Sequence, residues 1–207
     1  KKNLSRKTKI KIRNMGIKLC AFNKIGLLFS FVLNFRDHRK IVVIDGKTAY
    51  TGGCNLADEY VNEKRLHGYW KDAGIRIDGS AVDGFSLIFL RQWEFLTKKQ
   101  ENYSNFLNLY DTYQNDAVVV PYADGLDYSV SICKNVYENM IASASKYIYI
   151  MTPYFIVDDA IFDMLKSKAI SGVDVSIVIP EIPDKPFVYG VTRNNAEKLI
   201  DYGVNIY

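Results

Sequence analysis

The chain has 207 residues, which suits one large or two small globular domains, and its 48% hydrophobic and 24% charged residues exclude a disordered or collagen-like chain. The longest nearly unbroken apolar run covers residues 25–33, about half of the roughly 20 residues that a membrane-spanning helix needs. The three cysteines, Cys20, Cys54 and Cys133, are odd in number and far apart. This argues against a disulfide framework or a zinc site and favours a reducing compartment.

The net charge of +4 is unevenly distributed. Residues 1–47 carry 13 Lys and Arg against 2 Asp, so the rest of the chain is acidic overall. Such a basic region suits an anionic partner, whether nucleic acid, an anionic membrane surface or a phosphate-bearing substrate. A solvated lysine-rich helix also explains the charge, and charge alone favours that simpler interpretation.

The N-terminal region is predicted to begin with a basic helix. Residues 5–15 form this helix, Gly16 ends it, and residues 17–22 follow as a short strand. The apolar loop 25–33 then either packs on its own domain or enters a lipid interface, and packing is the default expectation.

The strongest local signal is the dipeptide Asp45-Gly46, which lies between two β-rich runs at 38–44 and 47–50. Asp-Gly favours the positive φ angles that a two-residue hairpin turn requires. The sequence therefore predicts a β-hairpin here.

Hydrophobic periodicity predicts alternating strands and helices in the rest of the chain. The strands are 75–77, 117–121, 147–152 and 173–179, and the helices are 81–96, 129–145, one from Asp158 or Asp159 to residue 170, and 194–202. Residues 173–179 are mostly β-branched, which is typical of a strand buried on both faces. Strand, helix and strand at this spacing predict an α/β fold with a parallel sheet.

Two basic side chains at the start of the predicted hairpin could share one anion. Alternation along a strand puts His38 and Lys40 on the same face, roughly 7 Å apart, while Arg39 points the other way. An imidazole nitrogen is a competent nucleophile toward phosphorus, and an ammonium can neutralise phosphoryl oxygens in the transition state. A lone histidine on a strand is more often structural, so the pair needs support from its surroundings.

That support comes from the residues that follow at fixed spacing. Four residues separate Lys40 from Asp45, and six more separate Asp45 from Gly52-Gly53, which Asn55 follows. Paired glycines allow a close approach of the backbone, and Asn55 offers an amide donor to the same phosphate. Asp45 is also explained by its turn with Gly46. The whole series of residues at this spacing is nevertheless a more specific signal of a phosphate site than any one of them.

The stretch 38–55, HRKIVVIDGKTAYTGGCN, resembles the HKD motif (H-x-K-x4-D-x6-G-G-x-N) of the phospholipase D superfamily. Its context is similar to bacterial cardiolipin synthases, and the resemblance covers nearly the whole chain. The segments that carry it are NFRD at 34–37, NLADEY at 55–60, WKD at 70–72, TPYF at 152–155 and residues 180–195. It implies a phospholipase D-like α/β fold of mostly parallel mixed sheets flanked by helices.

The resemblance also implies roles for individual residues. His38 would attack a phosphodiester and become a phosphohistidine, with Lys40 and Asn55 on the phosphoryl oxygens and Gly52 and Gly53 beside the phosphate. Asp45 belongs to the catalytic motif. Asp72 matches the carboxylate that accepts a hydrogen bond from the nucleophilic imidazole, and Glu59 is the alternative.

The reaction that the resemblance implies uses two phosphatidylglycerol molecules and gives cardiolipin and glycerol, with no metal or other cofactor. The expected partners are anionic phospholipid and a membrane surface, with nucleic acid less favoured, and the expected location is the cytoplasmic membrane of a bacterium. A different phosphodiesterase or nuclease of the superfamily is the alternative enzyme. A lipid-binding scaffold is the non-enzymatic alternative.

Members of this family carry two such motifs, whereas this sequence holds one. We therefore expect a partial tandem repeat, in which 1–97 is the C-terminal part of a first phospholipase D-like domain, 98–116 a linker and 117–207 the N-terminal part of a second. Residues 203–207 repeat the helix-Gly-strand pattern of 16–20. A fragment of this kind is expected to be inactive alone unless a homodimer pairs two histidines.

Overall fold

The computed structural model describes residues 4–22, 37–112, 117–125 and 130–207, so the apolar loop 25–33 lies outside the described residues. The elements are α1 Arg6–Asn14, β1 Ile41–Ile44, β2 Thr48–Gly52, β3 Gly74–Asp78, α2 Val82–Thr97, α3 Ile132–Ser143, β4 Tyr147–Met151, α4 Asp159–Ile170, β5 Asp174–Val178, α5 Pro186–Ile200 and β6 Asn205–Ile206, with short 3-10 turns at Asp58–Val61 and Tyr103–Asn105. The predicted α/β class, with helices on small sheets, is confirmed. The predicted mixed sheets are not seen in the described residues, where one sheet is antiparallel and the other parallel.

The chain divides into two compact units, and neither is continuous in sequence. The first unit is Lys1–Asn55 with Asp72–Pro121, and the second is Leu56–Lys71 with Tyr122–Tyr207. Part of the predicted linker, residues 98–112, thus belongs to the first unit. The assignment of 1–97 and 117–207 to parts of two phospholipase D-like domains stays a prediction.

An antiparallel sheet in the order β1-β2-β3 forms the centre of the first unit. Asp45 and Gly46 have φ angles of 54° and 66°, the two positive values that a type I′ turn needs, so the predicted hairpin is confirmed. Strand β1 begins at Ile41 rather than at the predicted residue 38. Helix α2 packs on one face of the sheet, around a core of Ala49, Ile77, Val82 and Phe85.

Helix α1 has the predicted position. Its first turn is capped by Ser5, whose hydroxyl accepts a hydrogen bond from the Thr8 N–H at 3.1 Å, and Gly16 follows it with a φ of 80°. The predicted strand at 17–22 is wrong, and so is the one at 117–121, because neither segment is regular in the structure. A strand needs a hydrogen-bonded neighbour, which alternation in the sequence does not supply.

A parallel sheet in the order β4-β5-β6 forms the centre of the second unit, as predicted. Its core joins α3, α4 and α5 to one face, and α4 is capped by Asp158, which accepts from the Ile161 N–H at 3.0 Å. The prediction that 173–179 is buried on both faces is wrong. Val175 and Ile177 are buried, but Asp174 is exposed and Val178 is 38% exposed, so the strand is covered on one face among the described residues.

Candidate active site

His38 and Lys40 lie side by side immediately before strand β1. The Lys40 Nζ is 3.1 Å from Nδ1 and 3.4 Å from Nε2 of the His38 ring, and it donates to the His38 carbonyl oxygen at 2.6 Å. His38 is exposed and Lys40 is half-buried. The imidazole and the ammonium are thus close enough to contact one phosphate, and solvent can reach them.

Arg39 is held by the preceding aspartate and by helix α2. Its guanidinium donates to both Asp37 carboxylate oxygens, at 2.8 and 2.9 Å, and to Oε1 of Gln92 at 3.1 Å. Burial raises the pKa of the Asp37 carboxyl, but the hydrogen bonds and charge of Arg39 outweigh burial and hold that pKa below its ordinary value. These contacts fix the segment that carries His38 and Lys40.

The strand register relates His38 to Asp72. β1 and β2 pair Ile41 with Thr51, so the same register continued by three residues puts His38 opposite Cys54. β2 and β3 pair Gly52 with Gly74, and the Gly53 N–H donates to the Ala73 carbonyl at 3.1 Å, which puts Cys54 opposite Asp72. Continued past the strand ends, the two registers thus place His38, Cys54 and Asp72 at the same end of the sheet.

Asp72 is packed against the paired glycines. A Cβ placed on Gly53 would lie 2.1 Å from Oδ1 of Asp72, and the Ala73 N–H donates to that same oxygen at 2.8 Å. The Cys54 thiol also hydrogen-bonds to the Asp72 carboxylate. Burial raises the pKa of this thiol, and the negative charge of Asp72 raises it further. The role of Cys54 was missed from the sequence, where its only signal is its position as the variable residue of G-G-x-N.

The structure does not bring Asp45 to His38. Asp45 lies in the turn at the other end of β1, and seven residues of extended chain span up to about 23 Å. There it lines a cleft of about 600 Å³ with apolar side chains that include Phe89, Leu90 and Leu109. This geometry supports a structural role for Asp45 in the turn.

The remaining predicted residues are placed as follows. Asn55 is half-buried and is the last residue of the first stretch of the first unit. Glu59 lies in the 3-10 turn Asp58–Val61, which belongs to the second unit. Across the described ranges, no three His, Cys, Asp or Glu side chains gather in a way that could hold a metal ion. The described helices also include none with the length and apolarity to cross a membrane.

Comparison with known proteins shows which family the chain resembles. A family model described as a cardiolipin synthase, PLD-like domain matches residues 137–207. A cardiolipin synthase of Staphylococcus aureus is 41% identical over 199 residues, which are 94% of this chain and 40% of that protein. One from Alkalihalophilus pseudofirmus is 37% identical over 198 residues, which are 95% of this chain and 39% of that protein. This chain is similar to cardiolipin synthases over nearly its whole length, and residues 137–207 match their PLD-like domain. The resemblance seen in the sequence is thereby confirmed.

The similarity extends to the fold. An uncharacterized protein of Streptococcus mutans is 40% identical over 200 residues, which are 95% of this chain and 43% of that protein. A crystal structure of a phosphatidylserine synthase from Haemophilus influenzae superposes with a TM-score of 0.52 at 16% identity, over 79% of this chain and 44% of that one. The chain therefore has a PLD-like fold. It spans about 40% of the length of the curated relatives that it matches.

Proposed function

We propose that this chain supplies the nucleophilic half of a phosphatidyltransferase that converts two phosphatidylglycerol molecules into cardiolipin and glycerol. The observation that carries the proposal is the exposed His38–Lys40 pair, whose ring and ammonium nitrogens lie 3.1 Å apart at the start of an HKD-like motif. The cardiolipin synthases at about 40% identity support the choice of phospholipid as the substrate class.

The first chemical step is attack of a His38 ring nitrogen on the phosphorus of phosphatidylglycerol. A P–N bond forms, the P–O bond to the headgroup glycerol breaks, and the leaving oxygen takes a proton from a general acid. The ammonium of Lys40 and the amide of Asn55 stabilise the charge on the phosphoryl oxygens. We assign the general acid to the histidine of a second motif, carried by the longer polypeptide or by a second copy in a homodimer.

The second step returns the enzyme to its starting state. The glycerol hydroxyl of another phosphatidylglycerol gives its proton to the general base and attacks the phosphorus, and the P–N bond breaks. A carboxylate on the far ring nitrogen stabilises the charged imidazole and fixes its tautomer. We assign this role to Asp72, because it matches the family's carboxylate in the sequence and lies at the same end of the sheet, while Asp45 acts only through the turn that it forms.

Binding to an anionic membrane surface is part of the same proposal. Residues 4–22 include six Lys and Arg and no Asp or Glu, and helix α1 has no buried residue. A basic surface of this kind is attracted to anionic lipid headgroups. We accordingly place the site at the surface of a bacterial membrane.

The test uses the full-length protein with vesicles that contain phosphatidylglycerol with a labelled glycerol headgroup. His38→Ala should reduce glycerol release and cardiolipin formation by about 10³-fold or more, because the nucleophile is lost. His67→Ala is the matched control, since His67 is the chain's other histidine and lies outside the motif, and it should leave both rates unchanged.

Two further results complete the test. With phosphatidylglycerol labelled at phosphorus, enzyme denatured at alkaline pH, where a P–N bond to histidine survives, should carry a phosphorus label that is absent from His38→Ala. Unaltered turnover in His38→Ala would overturn the proposal. Cleavage of DNA without any turnover of phosphatidylglycerol would favour the nuclease that the basic N-terminal region also suits.

A further inference from the structure

We propose that Gly53, Cys54 and Ala73 form a seat that holds the Asp72 carboxylate at the end of the sheet that carries His38, and that Gly53 is a glycine chiefly to make room for that carboxylate. The inference rests on the proposed function, because it assigns Asp72 a part in the reaction of His38. It adds two positioning residues, Gly53 and Cys54, and gives the glycine pair of the motif a role other than contact with phosphate.

The first support is the space at Gly53. An added Cβ would lie 2.1 Å from Oδ1 and 2.8 Å from Oδ2 and Cγ of Asp72, closer than any non-bonded carbon contact. Every other residue type would therefore displace the carboxylate. The φ angle of Gly53 is not in the left-handed region, so steric room rather than backbone conformation explains the glycine here.

The second support is that the hydrogen bonds around Asp72 come from the seat itself. The Ala73 N–H donates to Oδ1 at 2.8 Å, and the Gly53 N–H donates to the Ala73 carbonyl at 3.1 Å, which ties β2 to the segment that carries Asp72. The thiol of Cys54 donates to the same carboxylate. Hydrogen bonds from separate groups fix both the position and the orientation of a carboxylate.

The third support is the location of these residues. Continued past the strand ends, the registers place Cys54 between His38 and Asp72 in the order of the three strands. Neighbouring strands are about 4.8 Å apart, so the carboxylate is held at the end of the sheet that also carries His38.

A direct test measures the Cys54 thiol without reference to activity. In the full-length protein with every other cysteine replaced by serine, the rate of iodoacetamide alkylation is followed against pH. Asp72→Asn should move the midpoint to lower pH, because the charge that raises the thiol pKa is removed. Gly53→Ala should move it in the same direction by displacing the carboxylate.

The control for this measurement is Asp45→Asn. It also removes one carboxylate charge, but in the turn at the other end of β1, and it should leave the midpoint in place. An unchanged midpoint in Asp72→Asn, or an equal shift in Asp45→Asn, would overturn the proposed seat even if His38→Ala is inactive.

Kinetics then test the positioning role. Cys54→Ala should lower kcat by about 5–10-fold with KM unchanged, since one hydrogen bond is lost, while Cys54→Ser keeps a donor and should retain most of the activity. Equal losses in the two variants, or a loss seen only in KM, would contradict positioning. If His38→Ala keeps full activity, the proposed function fails whatever the thiol measurement shows.

Discussion

Replacement of Gly52 by alanine should disturb both the stability of the first unit and the geometry of its site. Gly52 is the last residue of β2 and pairs with Gly74 of β3. A Cβ added there would lie 2.5 Å from the Ala73 carbonyl oxygen and 2.8 Å from the Gly74 Cα. Both are backbone atoms, so a side-chain rotation cannot relieve the contact.

The size of the effect follows from these distances. Close carbon–oxygen contacts between strands are about 3.3 Å or longer, so β3 must move away from β2 by about 0.8 Å. Overpacking of this kind costs about 1–3 kcal/mol, and each kcal/mol lowers the Tm of a domain of this size by about 4–8 °C. A misplacement of about 1 Å in an active site can cost about 10²-fold in rate.

The assay is thermal unfolding of the full-length protein together with glycerol release from phosphatidylglycerol. Gly190→Ala is the control, because Gly190 lies in the interior of α5 and an added Cβ meets nothing within 4 Å. Gly190→Ala should raise the free energy of unfolding by about 0.5–1 kcal/mol, whereas Gly52→Ala should lower it. A Gly52→Ala protein with wild-type Tm and turnover would show that β2 and β3 do not approach as closely as the structure has them.

Two further outcomes concern the second unit. Leu165→Ala should lower the free energy of unfolding of this unit by about 2–5 kcal/mol, because the Leu165 side chain is fully buried. Leu165→Met should lower it by less than about 1.5 kcal/mol. Urea unfolding at fixed pH measures both, and equal losses would contradict the close packing around Leu165. The hydrogen bond from Lys134 and the N–H of Ile161 hold the Asp158 pKa below its ordinary value of 3.8, so the stability that this carboxylate adds is present above that pH and is lost as the pH falls through the lowered pKa. Asp158→Asn keeps the capping oxygen without the charge. Below about pH 4 its urea midpoint should therefore fall less steeply with decreasing pH than that of the wild type. The same pH dependence in both proteins would refute this.

Local features of the fold were predictable because they depend on neighbouring residues alone. Asp45-Gly46 specifies its own turn, and the Ser5 and Asp158 caps need only the first turn of their helices. The proximity of the His38 and Lys40 side chains follows from alternation along one extended segment. None of these depends on which strands pair.

Features that depend on pairing were not predictable. The contact of Gly53 with Asp72 joins positions nineteen residues apart and exists only because β2 pairs with β3. A β-branched run such as 173–179 specifies a strand, but it does not specify how many of its faces are covered. The segments at 17–22 and 117–121 have the composition of strands, but neither pairs with a strand in the part of the chain that the structure describes, which is why their prediction failed.

The segment Leu56–Lys71 has a consequence for how the protein is made. It lies between Asn55 and Asp72 of the first unit but belongs to the second, whose other residues begin at Tyr122. At a ribosome speed of about 5–20 residues per second, about 3–10 seconds pass after this segment is made before synthesis of the rest of its unit begins. No single cut releases either unit whole, and a polypeptide that ends near residue 116 would contain this segment without the rest of its unit.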